Sequence, residues 1–243
     1  MRIEKNLNAT RREGLKRLLP LSVICLLSFC CVTVSAQKGG FPSADPKETT
    51  FDARYVLEKL HCSAFEILPP STRLDMLDYW DADSVYKASN VMGGLSWLEK
   101  MTQNYAKIIL TPVSSLEIKI LPVKKGVIAM TIYTVGDDPQ AADSQVNFYD
   151  SELKELDSKH YFEIPDLKDF FDIPKGSATK MKEIEAMIPF PTIAYTASPD
   201  NDNLSARLTV EQYVNQDDWN IAKLFFKPAV TLIWHKDKYK VEK

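Results

Sequence analysis

Four aspartates, Asp75, Asp78, Asp81 and Asp83, fall within a nine-residue stretch, the first three spaced three apart. On a helix that spacing sets carboxylates along one side. There they could hold a divalent cation or share the work of a general acid and base. The plainer reading is the wet side of an amphipathic helix: Tyr79, Trp80 and Ala82 interrupt the set, and a calcium loop needs oxygen ligands at fixed positions around a tight-turning glycine. A second acidic run, Asp200-Asn201-Asp202-Asn203, puts Asp200, Asp202 and Glu211 at the first, third and twelfth positions of an EF-hand loop. Leu204 and Ser205 then occupy the fifth and sixth positions, where a ligand and a glycine are required, so the run reads as a polar hairpin turn.

The other chemistry-bearing residues are scattered. His61, His160 and His235 lack the i, i+4 spacing of a zinc helix and have no second nitrogen or sulfur ligand in a known pattern. Cys62 follows His61 directly, and adjacent side chains diverge, so the two make no dyad. The chain has no G-x-S-x-G elbow, no G-x-x-x-x-G-K-[ST] loop and no G-x-G-x-x-G turn. Tyr79, Trp80, Tyr86, Trp97 and Tyr105 crowd one region and could form a sugar or peptide platform, although such residues more often belong to the core and its boundary. These motifs assign no catalytic, metal or cofactor-binding residue. The aspartate cluster stays the candidate site, and its convergence with His160 is what a hydrolase of glycan or peptide would need.

The elements that would position these residues follow from periodicity. Leu57, Leu60, Cys62 and Phe65 form a short amphipathic stretch ended by Leu68-Pro69-Pro70. Thr72 and Asp75 then match a T-x-x-D capping box. Leu74, Leu77 and Trp80 follow at helical spacing, which predicts a helix over 72–89, and Leu95–Met101 reads as another turn or two. From Tyr105 the period changes to two. Leu116, Ile118 and Ile120 alternate with Glu117 and Lys119 as in a half-buried strand, and Val127–Val135 is apolar on both faces like a central one. Gly136-Asp137-Asp138-Pro139 signals a turn before a strand at 144–150. Short helices are expected near Leu167–Phe171 and Met181–Ile188. Strands return at Thr192–Ala197, Leu204–Val214 and Ala229–His235, with a closing β-arm after Asp237. The expected class is α+β, an N-terminal helical segment packed on largely antiparallel sheet. One domain spans 51–243, and its two β-rich blocks could be two lobes, 51–172 and 173–243.

The first 36 residues read as a secretory signal peptide. Arg11, Arg12, Lys16 and Arg17 precede a 17-residue apolar run, Leu18–Val34, and Val34-Ser35-Ala36 forms an A-x-A-like cleavage site before Gln37. The run is interrupted by Pro20, Ser22, Ser28 and Thr33, and falls short of the ~20 predominantly apolar residues of a membrane span. Phe29 before Cys30 makes a poor lipidation site. Residues 37–50, rich in Gly, Pro and polar side chains, read as a flexible leader. Removing residues 1–36 takes away six Lys/Arg and two Asp/Glu, leaving 24 basic and 31 acidic residues and a formal charge of −7, against −3 for the whole chain. That balance argues against nucleic-acid binding, which needs clustered Lys and Arg. Cys25, Cys30 and Cys31 leave with the signal, so Cys62 is alone and no internal disulfide is possible. It reads as a small buried hydrophobe at the end of a helix, the alternative being a thiol that is reactive or pairs with another chain.

Several segments carry a family resemblance: Leu68-Pro69-Pro70-Ser71-Thr72-Arg73-Leu74-Asp75-Met76-Leu77-Asp78-Tyr79, then Gly93-Gly94, then Thr111-Pro112-Val113-Ser114-Ser115-Leu116-Glu117. Ala142-Asp143-Ser144 and Phe148-Tyr149-Asp150 continue it. From about Cys62 onward the chain resembles a Bacteroidales-restricted family of exported proteins of unknown function, domain of unknown function family 3256. The resemblance implies an envelope location and carries over no site residue. It also implies O-glycosylation at Asp-Ser/Thr followed by an apolar residue, which Asp83-Ser84-Val85 matches, making Ser84 a candidate acceptor. The expectation is a non-catalytic periplasmic or cell-envelope protein of a Gram-negative bacterium that needs no cofactor. Its partner would be another envelope protein or a glycan. The alternatives are a periplasmic hydrolase of glycan or peptide and an inhibitor or chaperone-like module for another exported protein.

Overall fold

The period-two stretch after Tyr105 builds the centre of the molecule. The computed structural model describes residues 50–137, 141–174 and 177–242, all within the compact unit Pro46–Lys243. The expected signal, most of the leader, and Asp138-Pro139 of the expected turn lie outside the described residues. Strands β1 (Ala88–Ser89), β2 (Leu95–Met101), β3 (Tyr105–Thr111), β4 (Ser114–Val123), β5 (Gly126–Asp137), β6 (Ala141–Tyr149) and β7 (Glu155–Leu156) pair in chain order as one meander. β8 (Ile193–Ala197), β9 (Leu204–Leu208), β10 (Val230–His235) and β11 (Lys238–Val241) form a second sheet in the order β11-β10-β9-β8. All pairings between named strands are antiparallel. With helices α1 (Ala53–Lys59) and α2 (Pro70–Asp81) ahead of the sheets, the class is α+β, as the sequence predicts. Helices α3 (Ala178–Met187) and α4 (Gln216–Ala222) accompany the second sheet; nothing in the sequence reading anticipates α4.

Alternation along β4 splits the packing into two cores. Leu116, Ile118 and Ile120 face α1 and α2, meeting Val56, Leu57, Leu60, Met76 and Leu77. On the opposite face Leu121, Ile128, Met130, Ile132 and Phe148 meet Tyr195, Leu204, Leu232 and Tyr239 of the second sheet. The larger sheet is therefore the middle layer. β4 is not half-buried as its sequence suggests: Glu117 and Lys119 are 4 % and 2 % exposed, because the second sheet covers the face on which they lie.

α2 starts and stops differently from its predicted range. Pro70 takes the first helical position, where a missing N–H costs nothing, and Pro69 is the cap. Thr72 thus lies inside the first turn and caps nothing. At the other end Asp83 adopts a left-handed φ of 52°. Its N–H donates to the Trp80 carbonyl and that of Ser84 to the Tyr79 carbonyl, which is the Schellman closure. The chain leaves the helix at Ala82, and the predicted helical tail 82–89 is loop followed by β1. Leu95–Met101, expected as helix, is β2. One glycine is required by space. At Gly136, with φ of 113°, an added Cβ would sit 1.9 Å from the Ala141 carbonyl oxygen, so the β5–β6 connection tolerates no side chain there.

α1 and α2 are tied by Arg73. Its guanidinium donates to the Leu57 and Leu60 carbonyls at 2.7 and 2.8 Å and lies 4.4 Å over the Phe65 ring. These contacts satisfy carbonyls that the C-terminus of α1 leaves open.

Candidate functional site

The two sheets meet through β8, an edge strand laid across the larger sheet. Its outward N–H groups are taken by side chains rather than by another strand. Ile193 donates to Asp143 Oδ1 at 3.2 Å, Tyr195 to Ser144 Oγ at 3.0 Å and Ala197 to Glu117 Oε2 at 2.8 Å. Lys119 Nζ donates to the Ser198 carbonyl at 3.0 Å and lies 3.6 Å from Asp202. Thr209 Oγ1 donates to the Ala142 carbonyl. An edge that would otherwise invite a foreign strand is thus closed by polar side chains at the right spacing.

Glu117 is the electrostatic centre of this seam. Burial pushes its carboxyl up to about 7, against the pull of the Ala197 N–H, the Lys107 charge and the Tyr105 hydroxyl, while Glu99 adds to the rise. Burial likewise lowers the Lys119 ammonium, with Asp202 opposing. Tyr105 and Tyr195 are both held above the ordinary phenol value, chiefly by burial and then by Glu117 and Asp143 respectively. A carboxyl poised near neutrality is a functional-site signal. Here its two hydrogen bonds hold the Ala197 amide and the Tyr105 hydroxyl, so the visible work of the group is to fix β8.

Three clefts touch β8, and two of them lie against the larger sheet. The larger, about 440 Å³, runs between the outer edge of β6 at Asp143–Val146, the turn after β7 with Lys159, and Ile193 and Tyr195 of β8. Phe162 and Ile164 wall it. The smaller, about 270 Å³, lies by the β3–β4 turn. It brings Lys107 and Glu117 beside the hydroxyls of Ser115, Thr134 and Thr196. Apolar walls with a few convergent polar groups are the usual make-up of a small-ligand site.

The aspartates of the sequence reading lie elsewhere. Asp75, Asp78, Asp81 and Asp83 are all exposed on α2 and its end, and Asp81 is held bidentate by Arg54 at 2.8 Å. His160, also exposed, sits 3.5 Å from Asp157. It belongs to a turn whose following residue, Phe162 beyond Tyr161, enters the core on the face opposite α2. The structure does not bring His160 and the aspartates together. Ser84 is exposed just past the helix end. Tyr79 and Tyr86 stack at 4.7 Å on the surface, whereas Tyr105 is core. Cys62 is a free, partly buried thiol, raised by burial. The Asp200–Asn203 run is the β8–β9 turn. Among the described residues, no three His, Cys, Asp or Glu side chains gather as metal ligands, and no helix is long and apolar enough to cross a membrane.

The seam residues escaped the sequence reading because Glu117 and Lys119 look like a wet strand face. A faint signal existed: Glu117, Asp143 and Ser144 all lie in segments that carry the family resemblance.

Fold and seam define a two-sheet α+β protein with a cleft at the junction of its sheets. The chain belongs to the family described as Protein of unknown function (DUF3256), which matches residues 60–239. It is similar in fold to a solved domain of an uncharacterized protein from Porphyromonas gingivalis W83, with TM-score 0.66 and 22 % identity over 78 % of this chain and 96 % of that one. No curated protein matches the chain.

Proposed function

We propose that this chain is an exported protein of a Gram-negative cell envelope that binds a partner or ligand without transforming it. The observation that carries the binding half is the 440 Å³ cleft at the sheet junction. An apolar wall there faces strand-edge polar groups and the Lys159 ammonium. The export half rests on the basic, apolar and small-residue succession of residues 11–36.

Two measurements test these halves separately. For export, the chain is expressed from its own start in a Gram-negative host and the envelope fraction is weighed intact. Cleavage after Ala36 is the expected product, and an uncleaved cytoplasmic chain would sink the proposal. The same spectrum tests glycan addition at Ser84, since the bare mass of 37–243 removes that idea. For binding, the purified protein is screened against envelope glycans and peptides, with Ile164→Asp as the cleft variant. Ile164 is 67 % exposed, so the change leaves the core intact. Binding that Ile164→Asp does not weaken would move the site elsewhere.

A further inference from the structure

The backbone at the floor of the larger cleft presents an alternating pattern of donors and acceptors. In β5, the Gly136 N–H turns toward the Val113 carbonyl at the start of β4. Even-numbered residues of β5 therefore bond to β4 and odd-numbered ones to β6, because an antiparallel strand alternates its bonding direction. The register pairs Thr131 with Asn147, Tyr133 with Gln145 and Val135 with Asp143, so it is the odd-numbered residues of β6 that bond inward. Its even-numbered residues point their N–H and C=O groups out of the sheet edge.

Three contacts agree with that assignment. The Ala142 carbonyl accepts from Thr209 Oγ1, the Val146 carbonyl accepts from Ser158 Oγ at 3.3 Å, and Phe148 pairs with Leu156 of β7. β7 covers β6 only at Phe148 and Tyr149. Between the capped carbonyls, the Ser144 N–H and C=O and the Val146 N–H have no partner among the described residues. They open into the cleft. Across it stands β8, whose outward side at Ile193 and Tyr195 is bridged to β6 only through Asp143 Oδ1 and Ser144 Oγ. Two strand edges thus converge on one cleft, held apart by side-chain spacers.

We infer that the cleft takes an extended polypeptide segment, which adds to the open edge of β6 at Ser144–Val146. Alternating backbone donors and acceptors at strand spacing match another backbone better than a sugar or a compact metabolite. The strand so added continues the existing β5–β6 ladder. Phe162 and Ile164 give an apolar seat for one side chain of the segment, and Lys159 at the rim complements a carboxylate, the peptide's own C-terminus included. Short reach is built in, since Thr209 and Ser158 already occupy the carbonyls on either side. The inference rests on the cleft-binding reading above and narrows it to one ligand class.

The test uses the purified, isotope-labelled protein and four probes. These are a tetrapeptide library with Val, Ile or Phe at alternate positions, its best member with one backbone nitrogen methylated, that member as its C-terminal amide, and N-acetylglucosamine. Expected are amide shifts at Ser144 and Val146 that exceed those at Asp143 and Gln145, whose N–H groups face β5. Methylation is expected to weaken binding at least tenfold, and amidation to weaken it less. Val146→Pro removes the outward N–H but also restrains the strand and replaces a side chain packed on the core, whereas Ile164→Asp leaves the core intact. Each should reduce peptide affinity. Peptide binding indifferent to methylation, or sugar binding in the cleft without peptide binding, overturns strand addition and leaves the cleft reading standing. If no probe moves a cleft amide, both fall.

Discussion

On the side of the larger sheet toward α1 and α2, β4 contributes Leu116, Ile118 and Ile120; on the other, the same strand contributes Glu117, Lys119 and Leu121. Both sides are buried. The helical side is held by apolar area, which is strong but has little sense of register. The side toward β8 places hydrogen-bonded ionisable groups among the apolar ones, and these are satisfied in one alignment only. Sliding β8 by one residue would aim Ala194 and Thr196 at acceptors spaced for Ile193, Tyr195 and Ala197. The contrast teaches that the apolar face supplies cohesion, while the mixed face fixes where the second sheet lies and so shapes the clefts.

The contrast can be broken from its strongest contact downward. Phe148→Ala, in the core shared by both sheets, should cost about 3–5 kcal/mol in urea denaturation. A loss under about 1 kcal/mol would mean that the sheets are not packed as described. Next comes Glu117. Its folded carboxyl is raised from the ordinary 4.5 to about 7, so the folded state holds the proton more tightly than the unfolded chain. The Glu117 contribution to stability should be greatest below pH 4.5, fall as pH rises through the window to about 7, and level above it. The loss is about 3 kcal/mol at most. Glu117→Gln keeps an acceptor for the Ala197 N–H and should flatten that slope. A slope unchanged in the variant would assign it to another group.

Smaller effects sharpen the comparison. Lys119→Met exchanges a buried ammonium for a side chain of similar length, and leaves Asp202, which solvent reaches, to be hydrated. The change should stay within about 1 kcal/mol of the parent. A large loss would show that the lysine is a cohesive element rather than a locating one. Asp75→Ala on the exposed side of α2 should shift stability by less than about 0.5 kcal/mol and leave ligand binding unchanged. Any loss of activity or binding there would return the aspartate cluster to contention.

The fold class was legible because it rests on local periodicity: the alternation through β4 and the unbroken apolar run of β5 announce themselves over a few residues. The family was legible from the segment around Arg73–Tyr79. The end of α2 was not, since an aspartate stands where glycine normally marks a left-handed stop, and Asp83 reads as one more helical carboxylate. Leu95, Leu98 and Met101 keep a spacing of three that reads as helix, whereas pairing with β3 makes the segment β2. The seam was hidden for a different reason. Glu117 and Ala197 are eighty residues apart, and alternation with charged residues normally means water. Only the second sheet's position turns that face inward, and no local pattern encodes it.

The side-chain closure of β8 also makes that strand a two-channel reporter of opening. Its odd-numbered amides, at Ile193, Tyr195 and Ala197, are shielded by residues of the larger sheet; its even-numbered ones face β9. Hydrogen–deuterium exchange along five consecutive residues should therefore show two interleaved rates. The odd series times the parting of the sheets, and the even series times the fraying of the second sheet itself.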